Sequence, residues 1–106
     1  MDINQRSKEF AQYVKATDEF KNMNKCKLEL ERNRNLKKQL DSYINKKNNI
    51  YSNYRMEDAS KKISQLNRDY HSFFNLPIVA NYMQATRDFN NMMEKLYKSI
   101  EKELLK

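Results

Sequence analysis

Between Asn75 and Lys106, apolar residues recur at Ile78, Tyr82, Ala85, Phe89, Met92, Met93, Leu96, Ile100 and Leu104. Steps of three and four residues bring side chains to one side of an α-helix. The spacing therefore predicts a long C-terminal helix, roughly 45 Å at 1.5 Å per residue. Asn75 is placed to cap its free amides, and Pro77 suits the first turn, where a missing N–H costs nothing. Val79, Met83 and Tyr97 lie on one flank of the stripe and widen it to roughly half the circumference, against ~100° for an ordinary one-sided helix. One small bundle covers only part of so wide a face. Val79, Met83 and Tyr97 are thus expected as an exposed flank and candidate interface, with a second copy of the chain as the self-complementary occupant. Phe89, mid-stripe, is expected in the core.

Earlier segments divide by the same periodicity. Ile3, Phe10, Tyr13 and Val14 predict a first helix from about Asp2 to Ala16. Thr17 offers an N-cap, and Asp18 and Glu19 come next, where the helix dipole favours negative charge. Phe20, Met23, Leu28 and Leu30 form a second stripe. The run Arg32-Asn33-Arg34-Asn35 breaks it, and Asn33 or Asn35 can cap the third helix. Leu36, Leu40, Tyr43, Ile44, Ile50, Tyr51 and Tyr54 form a third, long stripe. Its expected partner is Ala59, Ile63, Leu66, Tyr70, Phe73 and Phe74, across a turn within 53–58. Phe74-Asn75-Leu76-Pro77 makes the last corner, because the residue before Pro is pushed out of helical geometry. Short connectors favour antiparallel neighbours. The fold class expected is all-α: about five helices, two short then three longer, in an antiparallel bundle with a long C-terminal helix.

Composition agrees with this. The chain has 106 residues, room for one small domain, with no Gly and a single Pro. Fourteen Asn exceed what helix propensity favours, and suit an AT-rich genome as well as any function. Hydrophobic residues make up only 39%, so oligomerisation would help such a chain cover its apolar surface. A formal charge of +7 raises the question of an acidic partner or nucleic acid. Most cations sit beside acids at helical spacing, as in Glu94 and Lys98, which reads as a solvated helix face. Lys37–Lys38, Lys46–Lys47 and Lys61–Lys62 are the best candidates for a basic patch. They lack the interleaved aromatic and Gly pattern of single-strand binders.

Reactive chemistry is sparse. Cys26, the single cysteine, cannot form an internal disulfide and reads as a buried structural thiol. His71, the single histidine, reads as solvent-facing; a phosphotransfer helix would carry Lys and Gly after its His, and there is no Gly. No His, Cys and acidic residues stand at ligand spacing, and no Gly-rich phosphate loop is possible. Arg6, Arg32, Arg34, Arg55, Arg68 and Arg87 could clamp a dicarboxylate, but none interrupts an apolar stripe, where a buried cation would be costly and informative. The chain shows no signal-peptide pattern, and no run reaches the ~18–20 apolar residues of a membrane span. A cytoplasmic protein without catalytic residues, metal or cofactor is expected.

Three segments resemble the YlbF/YmcA-like family of small helical bacterial proteins. Phe10-Ala11-Gln12-Tyr13-Val14-Lys15-Ala16-Thr17-Asp18-Glu19-Phe20 is similar to the family's opening helix and the break after it. Leu36-Lys37-Lys38-Gln39-Leu40 through Tyr54 is similar to the third helix. Leu76-Pro77-Ile78-Val79-Ala80-Asn81-Tyr82-Met83-Gln84-Ala85, with Phe89-Asn90 and Leu96, resembles the last helix. The match covers nearly the whole chain, and it rests on packing patterns, not catalytic signatures. The resemblance implies a single helical domain and a non-enzymatic regulator or adaptor working through protein–protein contacts. It implies a homodimer or a hetero-oligomer with related family members. It also implies links to competence, sporulation, biofilm formation and RNA processing with RNase Y-type machinery. Two features depart from the pattern. A Cys-rich tail, implicated in iron–sulfur binding in some members, has no counterpart here, so no cluster is expected. The break at Arg32-Asn33-Arg34-Asn35 is basic where relatives are often acidic. The competing readings are weak, sequence-independent nucleic-acid binding, favoured by the charge, and an enzyme, which would need a pocket of convergent charged groups.

Overall fold

A computed structural model of the chain describes residues 2–106. They are all-α, without a strand among the described residues: α1 (Ile3–Lys15), α2 (Asp18–Arg32), α3 (Arg34–Asn53), α4 (Met56–Asp69), α5 (His71–Phe74) and α6 (Pro77–Leu104). The expected long C-terminal helix is present, at 28 residues.

The boundaries obey local hydrogen bonding. Asp2 caps α1 by accepting the Asn4 N–H at 3.0 Å. Thr17 serves two helices at once. Its hydroxyl donates to the Val14 carbonyl at 2.6 Å and accepts the Phe20 N–H at 3.2 Å. Of the two asparagines able to cap α3, Asn33 does so, accepting the Leu36 N–H at 3.2 Å. The turn expected within 53–58 shrinks to Tyr54 and Arg55, so Glu57 and Asp58 already sit in the first turn of α4, where the dipole favours them.

The last corner differs from expectation. The fourth stripe is divided at Tyr70 into α4 and the single turn α5. Asn75 does not cap α6. Its amide turns back, donating to the His71 carbonyl at 3.0 Å and lying 3.1 Å from the His71 ring nitrogen. Leu76 is the residue before Pro77, which opens α6 with no donor to satisfy.

The chain clusters into two compact units. One is the N-terminal stretch through Lys27 together with Asn81–Lys106; the other is Leu28–Ala80. In the second, α3 and α4 pack as an antiparallel hairpin. Tyr54 meets Lys62 near the turn, while Ser42 and Lys46 meet Tyr70 at the far end. Its core holds Leu30, Leu36, Leu40, Ala59, Leu66, Phe73 and Val79. Tyr43, Tyr70, Phe73 and Phe74 form an aromatic cluster of mostly edge-to-face pairs with centroids 4.8–6.4 Å apart, the geometry ring quadrupoles favour. In the first unit Val14 and Ala85 are buried, and Phe20 meets Phe89 edge-on at 6.0 Å.

Candidate interaction surfaces

The candidate interface on α6 does not form one exposed flank. Val79 is fully buried, at 0% exposure, and belongs to the core. Met83 is half-buried, and Tyr97 alone is open, at 59%. A helical wheel gives the side of a helix on which a residue lies. It does not tell which stretch of that side has a neighbour. Phe89, expected in the core, is half-buried: Phe20 covers it edge-on and part of the ring stays accessible. Cys26 is also half-buried, its sulfur 3.9 Å from the Asn22 side-chain oxygen. His71 is exposed, as a solvent-facing residue should be.

Within the first unit, the apolar stripe of α6 is half-covered or better from Tyr82 to Leu96, apart from exposed polar positions between. Beyond Leu96 it continues uncovered, through Tyr97, Ile100 and Leu104, with Leu105 after the helix ends. Tyr97, Ile100 and Leu104 succeed one another at three and four residues, so they form one row. Ile3, Phe10 and Tyr13 of α1, in the same unit, are likewise exposed, and only Val14 of that helix is buried. The sequence pattern identified both stripes; it could not show that these particular turns lack cover.

A second surface, which sequence reading did not assemble, lies on the α3–α4 hairpin. One groove there, of about 540 Å³, is lined by Lys38, Gln39, Ser42, Asp69, Tyr70, Ser72, Phe73 and Leu76. Another, of about 310 Å³, is lined by Lys46, Asn49, Ile50, Tyr54, Lys62, Gln65, Leu66 and Asp69. Asp69 lines both, and the Lys46 ammonium reaches the Tyr70 hydroxyl at 3.1 Å where they meet. Tyr70 in turn donates to Ser42 at 3.3 Å. The Ser42 hydroxyl, which can turn to donate once Tyr70 ionises, and the Lys46 ammonium together hold the Tyr70 hydroxyl below the ordinary tyrosine range. Tyr43 goes the other way. Burial raises it, with a smaller push from Tyr51, while its hydroxyl donates to Asn67 at 2.6 Å.

The basic pairs are split by helix geometry, since adjacent residues point ~100° apart. Lys38, Lys46 and Lys62 line the grooves. Lys37 instead pairs with Asp41 at 2.6 Å. The solvated-face reading holds on α6, where Lys98 meets Glu94 at 3.1 Å. Among the described residues, no group of three or more His, Cys, Asp or Glu side chains is placed to hold a metal, and no helix is long and apolar enough to cross a membrane.

By architecture the chain is a small all-α protein dominated by its C-terminal helix. A family profile described as "Control of competence regulator ComK, YlbF/YmcA" matches residues 3–104, and the chain belongs to that family. No curated protein and no solved structure matches it.

Proposed function

We propose that the protein is a non-enzymatic, cytoplasmic regulatory adaptor that acts by binding other proteins. It self-associates as a homodimer, and the same surface accepts a related family member in a hetero-oligomer. Membership of a family named for control of a competence regulator supports the regulatory role. By family resemblance, its field of action extends to sporulation, biofilm formation and RNA processing with RNase Y-type machinery.

The observation that carries the adaptor reading is the uncovered row Tyr97, Ile100 and Leu104, at 59%, 40% and 78% exposure. Leaving such a row in water forfeits the free energy its burial would supply, roughly 25 cal/mol per Å² of apolar surface. Apolar rows of this kind mark interaction sites in soluble proteins.

Light scattering behind size exclusion, at several micromolar protein, tests the reading. Wild type should show twice the mass of one chain, and Tyr97→Glu with Leu104→Glu the mass of one. Affinity purification from the native host should then recover protein partners with wild type and lose those seated on the α6 row with the double variant. A single-chain mass for wild type, or an unchanged dimer and unchanged partners in the variant, overturns the assignment.

A further inference from the structure

The α3–α4 grooves present three ammonium groups that the helices do not neutralise. Lys38, Lys46 and Lys62 are exposed, and among the described residues none of the three has a carboxylate within ion-pair distance, although such pairs form elsewhere on this chain. Two of them are held in place by tyrosines. Lys46 donates to the Tyr70 hydroxyl at 3.1 Å, and its nitrogen lies 5.2 Å from that ring's centroid. Lys62 sits over the Tyr54 ring at 4.5 Å. Long lysine side chains usually lose rotamer entropy when they engage a partner; anchored ones have part of that loss behind them. On α3, Lys38 and Lys46 are eight residues apart, about 12 Å along the axis. Gln39, Asn49 and Gln65 add uncharged donors and acceptors along the walls.

We propose that these two grooves, adjoining at Asp69, together form a docking site for an acidic segment of a partner protein, one that carries carboxylates a helical turn or two apart. The assignment rests on the adaptor function and supplies it with a second surface, made of residues other than the apolar row on α6. Charge complementarity commits the occupant: three cations face one carboxylate, Asp69. The tyrosines favour protein over nucleic acid: a single-strand binder needs open aromatic faces on which bases stack, whereas in these grooves Lys62 lies over the Tyr54 ring and Lys46 takes up the Tyr70 hydroxyl.

The test is a fluorescence anisotropy titration of the full chain with a labelled helical peptide bearing Glu at i, i+4 and i+8. A peptide with Gln at the same positions and a labelled single-stranded RNA are run beside it. Wild type should bind the Glu peptide and not the Gln peptide. Lys38→Gln with Lys46→Gln and Lys62→Gln should bind it roughly tenfold more weakly, as expected for the loss of three exposed charge contacts. Lys95→Gln with Lys98→Gln and Lys102→Gln, on α6, should leave binding within about twofold. Circular dichroism checks that each variant remains helical, and the single substitution Lys38→Gln, which disturbs no tyrosine contact, covers the case of a misfolded triple variant. No binding of the Glu peptide, equal loss in both lysine sets, or RNA bound more tightly than the peptide overturns the proposal. Failure here leaves the light-scattering result untouched, and a monomeric wild type would not by itself empty these grooves, so the two readings fail separately.

Discussion

Val79 and Tyr97 lie on one helix, eighteen residues or five turns apart, and should fail in opposite ways when truncated. Val79 is fully buried. Val79→Ala removes two carbon groups, worth roughly 0.8 kcal/mol each by transfer, and the cavity left behind brings the loss to about 2–3 kcal/mol. Alanine's better helix propensity returns ~0.5 kcal/mol, leaving about 2 kcal/mol. For a chain this small that is a fall in melting temperature of roughly 8–16 °C. Tyr97, at 59% exposure, has little cover within its own chain. Its truncation should change the stability of a single chain by no more than about 0.5 kcal/mol. If Tyr97 lies at a dimer interface, its effect depends on mass action and fades on dilution. Thermal melts by circular dichroism at two protein concentrations separate the cases. The Val79→Ala loss should be the same at both; any Tyr97→Ala loss should appear only at the higher. A Val79→Ala melt within about two degrees of wild type, or one whose deficit vanishes on dilution, would refute the reasoning and return Val79 to the interface.

Three further outcomes rest on single interactions or on charge. Thr17→Ala removes a hydroxyl that ties α1 to α2, and should cost about 1 kcal/mol in a denaturation melt, whereas Thr17→Ser should restore most of it. Ultraviolet titration of tyrosinate should find Tyr70 ionising below the ordinary value of 10 and Tyr43 above it, and Lys46→Gln should move Tyr70 upward. By linkage, Tyr70's contribution to stability appears as pH rises through its lowered folded value and is complete above 10, while Tyr43's is full below 10 and lost as pH climbs through its raised value. Single-stranded RNA should bind weakly, without regard to sequence, and be released by ~0.2 M salt; sequence-dependent affinity well below micromolar would sink that expectation.

The sequence by itself determined the helices. Absence of Gly, three-and-four spacing and well-placed caps such as Thr17 and Asn33 act over a few residues, so they can be read without knowing the fold. The long α6 and a break between α3 and α4 within 53–58 were legible for the same reason, though the structure narrows that break to Tyr54 and Arg55. Cover is a different matter, because it depends on which helix reaches which turn. Val79 and Tyr97 share a flank by periodicity, yet one is sealed and the other open. Asn75 has the chemistry of an N-cap, but the corner sends its amide back to His71. Lys38, Lys46 and Lys62 are separated in the chain by eight and sixteen residues, and only the hairpin of α3 and α4 brings them to two grooves that adjoin at Asp69. Local hydrogen bonding and periodicity are short-range properties of the chain; burial and charge convergence are long-range, and the tertiary structure alone decided them.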